Sequence, residues 1–267
     1  MHIVITGGHS GIGLELAKRV AADGHRLGLV VRDPSRLEGV PDAIKSSSGF
    51  TYWSADLAIA DDVTKVAEVI HADWGHVDVL FNNAGVLLPE LRYSAAGREM
   101  HLEVNTLAPM HLMRGLAHAL RAADTPTVVN TVTGSMHSTT LELEQLTHPT
   151  TYRKLFGQYL QSKLALTLWM NAVAKEPDWE GVAIRSVNPG ANKTTMTSSE
   201  GVPWPIRMLR GVLFRAPTKG GNLLYDAAFD PAHGRESGVF FDEKRVREAT
   251  TLPDTARATL EELLGAS

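Results

Sequence analysis

The chain reads Thr6-Gly7-Gly8-His9-Ser10-Gly11-Ile12-Gly13 directly after a short apolar run, Ile3-Val4-Ile5. The residues that follow are apolar at the spacing of one helix face: Leu14, Ala17, Val20 and Ala21. A strand, a glycine-rich turn and a helix in this order predict a pyrophosphate site at the positive end of the helix dipole. Because glycine carries no side chain, a dinucleotide can approach the backbone of this turn. The spacing of Gly7, Gly11 and Gly13 differs from the Gly-x-Gly-x-x-Gly pattern.

Further β-rich runs alternate with helical stretches along the chain. They are residues 27–31, 50–53, 77–81, 127–132 and 182–187. Such alternation predicts a parallel sheet with helices on both faces. The fold class is therefore α/β, a Rossmann-type doubly wound parallel sheet of about seven strands, in one domain over residues 1–267.

One segment interrupts this alternation. Between Asn188 and Pro217 the chain carries several prolines and an apolar set outside any β-rich run: Trp204, Ile206, Met208, Leu209, Val212, Leu213 and Phe214. We expect residues 191–217 to form a lid over an apolar substrate. The same side chains would also suit the core or an oligomer contact.

Composition excludes several classes of function. The chain has 26 Lys and Arg against 30 Asp and Glu, and no basic cluster of the kind that binds nucleic acid. It has no cysteine, which excludes disulfides and thiolate metal sites and fits a reducing compartment. Its 11 histidines show no metal-ligand spacing, so we expect no metal. No run approaches the roughly 20 apolar residues of a membrane span, and we expect a cytoplasmic protein.

Tyr159 and Lys163 are the strongest chemical signal. They lie four residues apart in a helical run, so both side chains project from one face about one turn apart. A neighbouring ammonium lowers the pKa of a phenol and can also hold a cofactor hydroxyl. This spacing predicts a proton donor beside a bound nucleotide.

The second β-rich run ends in Arg32-Asp33-Pro34-Ser35-Arg36. An acidic residue here would bind the ribose 2′-hydroxyl of NAD, whereas an arginine would bind the 2′-phosphate of NADP. Asp33, followed by proline and serine, also has the pattern of a helix N-cap, which leaves Arg32 to face the ribose. We favour NADP over NAD, with Arg36 as a second phosphate contact.

With Asn82-Asn83-Ala84-Gly85 after the fourth run and Tyr159-Leu160-Gln161-Ser162-Lys163 downstream, the chain resembles the single-domain short-chain dehydrogenase/reductases over nearly its whole length. Pro189-Gly190 with Thr194 resembles the family's nicotinamide-side loop. Asp56-Leu57 resembles its adenine-side contact. The insertion before Tyr159 and the tail over residues 237–244 are similar to the retinol-dehydrogenase-like NADP branch.

The resemblance implies a role for each matching residue. Tyr159 would be the general acid in reduction and the base in oxidation, with Lys163 depressing its pKa and binding the nicotinamide ribose. Asn105 would hold a water that links the lysine to solvent. Alternatively, its side chain would hydrogen-bond the helix backbone where Pro109 has no N–H to donate. For the family's carbonyl-polarising serine, two hydroxyls remain open: a direct alignment gives Thr133, which we favour slightly, and one or two extra residues give Ser135.

The resulting hypothesis is an NADP-dependent oxidoreductase, a ketone or aldehyde reductase or an alcohol dehydrogenase, that acts on a hydrophobic carbonyl or alcohol. Two alternatives are an NADP-sensing regulator without turnover and a nucleotide-sugar epimerase-like enzyme. The intact Tyr159 and Lys163 argue against the sensor, and the short chain argues against the epimerase. The family often forms homodimers or homotetramers through the helices that precede and carry the tyrosine. The extra segments of this chain are placed to block those faces, so a homodimer, a homotetramer and a monomer are all left open.

Overall fold

The computed structural model describes residues 1–192, 202, 215–242, 245–248 and 253–265. Most of the predicted lid, together with Thr194, lies outside these ranges. No helix within the described residues is long and apolar enough to cross a membrane, and they contain no group of three or more side chains that could hold a metal ion.

Within the described residues, eight strands form one sheet. They are β1 (His2–Thr6), β2 (Arg26–Val31), β3 (Phe50–Ser54), β4 (Val79–Asn82), β5 (Thr127–Thr131), β6 (Ala183–Val187), β7 (Val239–Asp242) and β8 (Arg245–Glu248). Their order is β3-β2-β1-β4-β5-β6-β7-β8. The first seven are parallel, which confirms the predicted doubly wound sheet. The sequence did not predict β8, which pairs antiparallel with β7.

Helices cover both faces of the sheet. They are α1 (Gly11–Ala22), α2 (Asp42–Lys45), α3 (Ala60–Trp74), α4 (Met100–Leu102), α5 (Ala108–Gly115), α6 (Ala117–Arg121), α7 (Leu143–Thr147), α8 (Gln158–Val173), α9 (Pro217–Phe229) and α10 (Asp254–Gly265). Between α4 and α5 the chain forms a π-helical turn over Glu103–Leu107.

Successive residues of a strand point to opposite faces, and β1 shows this clearly. Val4 joins a core with α3, α5, α8 and α10, whereas Ile3 and Ile5 join a second core with α1 and α9. All three side chains are 0% exposed. Since both faces of β1 are buried, its central residues Ile3, Val4 and Ile5 are all apolar instead of alternating with polar residues.

The order of the strands reverses between β1 and β4. From β1 the chain runs outward to β3, then returns to place β4 on the other side of β1. The loops that leave these two neighbouring strands therefore diverge, and a crevice opens at their carboxyl ends. This is the position at which doubly wound sheets bind ligands.

Helix α10 packs across α5 and α8. Its Leu260 is 0% exposed in the core beneath it. Glu261 accepts a hydrogen bond of 2.7 Å from the Trp169 indole N–H on α8 and forms an ion pair with Arg114 on α5. The Arg114 guanidinium also lies 5.2 Å from the centre of the Trp169 ring. The helix is thus held by apolar burial, with a polar cluster at its edge.

We predict that Leu260→Ala lowers the free energy of unfolding by about 2–5 kcal/mol, because it removes apolar burial and leaves a cavity. Urea denaturation measures the change. The matched control is Glu262→Ala on the exposed face of the same helix, which should shift stability by no more than about 0.5 kcal/mol. Equal effects of both substitutions would contradict the packing of α10.

Candidate active site

A crevice of about 900 Å³ lies at the carboxyl ends of the strands. Residues from the glycine-rich turn, the loops after β4, β5 and β6, and the start of α8 line it. It brings together most of the predicted site residues: Gly7, His9, Ser10, Gly11, Ile12, Gly13, Asn83, Ala84, Gly85, Thr133, Ser135, Tyr159, Lys163, Pro189 and Gly190. Residues separated by more than 180 positions in sequence thus share one cleft.

The glycine-rich turn has the shape that a dinucleotide requires. Gly7 and Gly11 have φ angles of 67° and 55°, a region that favours glycine. A Cβ on Gly13 would lie 2.4 Å from both the Asn83 amide nitrogen and the Gly7 carbonyl. Ser10 at the N-cap makes no capping bond through its side chain, so the first amides of α1 remain available at the crevice. These features fit a bound pyrophosphate.

Thr6 and Asn83 hold the turn in place. The Thr6 hydroxyl accepts bonds of 3.0 Å from the backbone N–H groups of both Asn83 and Ala84. The Asn83 side-chain amide donates to the carbonyls of Thr6 at 3.1 Å and Gly7 at 3.3 Å. Asn83 therefore joins the ends of β1 and β4 across the point where strand order reverses.

Tyr159 and Lys163 lie together on α8, as predicted. The Lys163 Nζ donates to the Thr131 carbonyl at 2.8 Å and is nearly enclosed, since only 4% of the residue is exposed. Burial lowers the pKa of Lys163 to about 8 and raises the pKa of Tyr159 to about 12. Part of the Tyr159 residue is exposed and lines the crevice.

The shift of Tyr159 is opposite to the effect expected from the ammonium alone. Burial removes solvation from the phenolate and favours the protonated phenol. In the isolated protein this desolvation dominates, so Tyr159 holds its proton firmly at neutral pH. A phenol in that state is a hydrogen-bond donor.

Asn105 lies behind the crevice wall instead of on it. Its side chain accepts from the Val86 N–H at 2.7 Å and donates to the Val86 carbonyl at 3.0 Å and the Ser162 hydroxyl at 3.1 Å. A Cβ on Gly85 would approach the Asn105 Oδ1 to 3.0 Å and the Lys163 Nζ to 3.3 Å, so any larger residue would press against both side chains.

The backbone around Asn105 departs from α-helical geometry. The Ala108 N–H donates to the Glu103 carbonyl five residues earlier, and Pro109 has no N–H to offer the Asn105 carbonyl. Such π turns occur frequently at functional sites. The side chain of Asn105 thus fixes the loop after β4 and bonds to Ser162 on α8, so in this structure its polar atoms are engaged with the protein.

Both candidate hydroxyls after β5 reach the crevice. Thr133 is half-buried in extended backbone at the start of a short 3₁₀ turn, Gly134–Ser138, whose second residue, Ser135, is exposed. Either side chain can donate a hydrogen bond to a carbonyl oxygen.

At the end of β2, Asp33 has the structural role that the sequence suggested. It caps the 3₁₀ helix Pro34–Gly39 and accepts a bond of 2.8 Å from the Ser35 N–H. Arg32 and Arg36 are exposed and lie outside the crevice lining. The pKa of His9 is lowered by burial and then by the positive charges of Arg36 and Arg32. Both arginines are therefore close enough to the glycine-rich turn for their charges to act on His9.

Asp56 and Leu57, the residues predicted to contact the adenine, lie outside the crevice lining. The Asp56 carboxylate accepts from the Ala58 N–H at 3.0 Å, and Leu57 packs against the core with α3. His9, by contrast, lines the crevice with a buried Nδ1 that has no hydrogen-bond partner among the described residues, as expected beside a polar ligand.

Sequence reasoning missed the apolar wall of the crevice. It consists of Val86, Leu87 and Leu88 after β4, with Leu155 and Phe156 just before α8. Leu155 has a φ of 55°, rare for a branched side chain, and Phe156 is 50% exposed. The run Val86-Leu87-Leu88 next to Asn83-Ala84-Gly85 was a usable signal, but no local pattern marks Leu155.

Comparison with known proteins agrees with this geometry. Residues 1–202 match the family model described as short chain dehydrogenase. The chain belongs to the short chain dehydrogenase family, which comprises oxidoreductases that act on CH–OH groups. Within the family it falls in the retinol-dehydrogenase-like branch.

Individual relatives are distant in sequence. Retinol dehydrogenase 11 of Homo sapiens is 28% identical over 247 residues, which are 91% of this chain and 77% of that protein. Retinol dehydrogenase 12 of Homo sapiens is 30% identical over 197 residues, which are 73% of this chain and 62% of that protein. The NADP complex of Pseudomonas aeruginosa RhlG has the same fold, with a TM-score of 0.71, 20% identity and coverage of 90% of this chain and 93% of that one.

The burial of Lys163 predicts a pH dependence of stability. Its folded pKa of about 8 lies below the ordinary 10.5, so the unfolded state binds more protons between these values. The wild type should therefore gain stability relative to Lys163→Met as the pH rises from about 8 toward 10.5, by at most about 3 kcal/mol.

Urea denaturation of both proteins at pH 7 and at several pH values between about 8 and 10.5 measures this difference. Lys163→Met also loses the bond to the Thr131 carbonyl. This loss lowers the stability of the variant by the same amount at each pH, so it does not contribute to the change with pH. Lys175→Met at an exposed position is the control and should show no such change. If the difference in free energy of unfolding between wild type and Lys163→Met stays constant with pH, the lowered pKa of Lys163 is wrong.

Proposed function

We propose that this protein is an NADP(H)-dependent reductase or dehydrogenase that interconverts a hydrophobic carbonyl compound and its alcohol. The observation that carries the proposal is that Tyr159 and Lys163 share one crevice with the glycine-rich turn. A proton donor, a buried cation and a nucleotide cradle are the parts that reduction of a carbonyl needs.

The residues of the crevice suit the two ends of the cofactor. The first amides of α1 would bind the pyrophosphate, and Lys163 would bind the nicotinamide ribose near Asn83, Ala84 and Gly85. The related RhlG structure holds NADP. The capping role of Asp33 leaves Arg32 and Arg36 for the 2′-phosphate, which favours NADP over NAD. When bound, NADPH supplies the hydride that reduces the carbonyl carbon.

The protein's own contribution is a proton and its electrostatic support. Tyr159, protonated at neutral pH, donates its hydroxyl proton to the oxygen that gains charge in reduction. The Lys163 ammonium stabilises the phenolate that forms, since opposite charges interact strongly in a desolvated site. Thr133 or Ser135 donates a hydrogen bond to the same substrate oxygen.

The shape of the crevice supports an apolar substrate. Val86, Leu87 and Leu88 face it from one side, and Leu155 and Phe156 belong to the segment that leads into α8. Apolar walls with a few convergent polar groups bind small hydrophobic ligands. We infer that this end of the crevice takes the hydrocarbon part of the substrate, with its carbonyl directed at Tyr159.

We expect Tyr159→Phe to lower the rate of NADPH-dependent carbonyl reduction by about 10²–10⁴-fold, because the proton donor is lost. NADPH binding, followed by fluorescence, should change little. Tyr52→Phe, at a tyrosine 43% exposed on β3, is the matched control and should keep full activity. Unchanged turnover in Tyr159→Phe would reject Tyr159 as the proton donor, and tight NADPH binding without turnover in the wild type would favour a sensor.

The cofactor preference is predicted separately. Arg32→Ala should reduce the preference for NADPH over NADH by about tenfold, because a charge-assisted bond to the 2′-phosphate is lost. Arg36→Ala should act in the same direction. Arg121→Ala, exposed at the end of α6, should leave the ratio of dissociation constants unchanged. If Arg32→Ala and Arg121→Ala behave alike, the 2′-phosphate is bound elsewhere.

A further inference from the structure

A buried, hydrogen-bonded pair of ionisable side chains lies directly behind the crevice and takes no part in the proton transfer described above. Glu99 and His101 are both 0% exposed, and their side chains meet at 2.7 Å between the carboxylate Oε1 and Nδ1. Burying two ionisable groups is costly unless their bonds are satisfied. Their other contacts therefore show what the pair holds in place.

The contacts fix the protonation of the His101 ring. The Leu88 backbone N–H donates to Nε2 at 3.1 Å, so this nitrogen must be the unprotonated one. Nδ1 then carries the hydrogen and donates it to Glu99. The second carboxylate oxygen of Glu99 accepts from the backbone N–H groups of His101 at 2.8 Å and Leu102 at 3.0 Å. Glu99 thus selects one neutral tautomer.

Leu88 is held from both sides of its backbone. While His101 accepts from its N–H, the Tyr152 hydroxyl donates to its carbonyl. Burial, followed by the charges of Glu99 and Glu90, raises the pKa of Tyr152, which keeps that hydroxyl protonated as a donor. Tyr152 belongs to the insertion that continues into Leu155 at the crevice.

His101 also backs the proposed proton donor. Its ring lies edge-on to the ring of Tyr159, with 6.3 Å between the ring centres and an interplanar angle of 76°. On another side it lies near the ring of Tyr152, with 6.5 Å between centres. One imidazole therefore contacts the Tyr159 ring and holds the loop that forms the apolar wall.

We propose that His101, set in its Nδ1–H tautomer by Glu99, is a positioning residue that fixes the Leu88 wall of the crevice and the insertion bonded to it, and so sets the affinity for the apolar part of the substrate. This inference rests on the proposed function. The other end of the same loop, at Val86, is held by Asn105, so the release of Leu88 affects the substrate side more than the cofactor side.

Two substitutions separate the two bonds of His101. In His101→Gln, a side-chain oxygen can occupy the Nε2 position and still accept from the Leu88 N–H, while the donor to Glu99 is lost. In His101→Asn, the amide nitrogen can occupy the Nδ1 position and still donate to Glu99, while the acceptor for Leu88 is lost. Each variant loses the ring and one bond, so a general effect on folding would appear in both.

The first measurement is amide hydrogen exchange at Leu88 by NMR. We expect the wild type and His101→Gln to protect this amide and His101→Asn to lose that protection. In ¹⁵N spectra of the wild type, Nδ1 of His101 should appear protonated and Nε2 unprotonated. The opposite tautomer, or equal exchange in all three proteins, would overturn the proposal. Neither readout requires turnover, so an inactive wild type would contradict the proposed function without affecting this test.

The second measurement is KM with a hydrophobic carbonyl substrate and with NADPH. His101→Asn should raise KM for the carbonyl compound about three- to tenfold more than His101→Gln does, with KM for NADPH similar in both. Tyr152→Phe keeps the ring, removes only the bond to the Leu88 carbonyl, and should also raise KM for the carbonyl compound. It provides the test if His101→Asn does not fold. An unchanged KM in Tyr152→Phe, or equal values in the two His101 variants, would refute the positioning role.

Discussion

The burial of Tyr159 and Lys163 at one end of a parallel sheet is the constraint on which the rest of the site depends. Burial keeps a proton on the phenol and makes the ammonium costly to hold, with pKa values of about 12 and about 8. Such a pair is useful only where a ligand can reach it, and the reversal of strand order between β1 and β4 opens the crevice there. The stability lost on burying Lys163 is the cost of placing a cation beside the proposed site of reaction.

Hydrogen bonds join the segments that surround this crevice. Thr6 and Asn83 join the ends of the two central strands, and Asn105 holds the loop after β4 at Val86. Each of these bonds connects segments that are distant in sequence, so the site forms only when the sheet does. These bonds join the glycine-rich turn, the loop after β4 and α8, which is the kind of pre-organisation that the proposed catalysis requires.

The features that could be predicted from the sequence are those that a short stretch of residues determines by itself. The glycine-rich turn, the Asp33 cap and the four-residue spacing of Tyr159 and Lys163 could be read directly, and the first six strands fell within about two residues of their predicted bounds. It did not predict β8, because a four-residue strand paired only with β7 has no pattern of its own. The bonds from Asn105 to Val86 and from His101 to Leu88, and the upward shift of the Tyr159 pKa, depend on burial and long-range contacts that no local pattern encodes.

The most direct test of the central claim, that this crevice transfers hydride between NADP(H) and a hydrophobic carbonyl compound, is a deuterium-transfer experiment. The purified protein is incubated with NADPH deuterated at C4 of the nicotinamide, using each C4 epimer in turn, and a set of apolar ketones and aldehydes. The product alcohols are then analysed by NMR. Our account predicts that one epimer alone places deuterium on the carbinol carbon. Consumption of neither epimer with any carbonyl compound, or alcohol formed without deuterium from both, would contradict it.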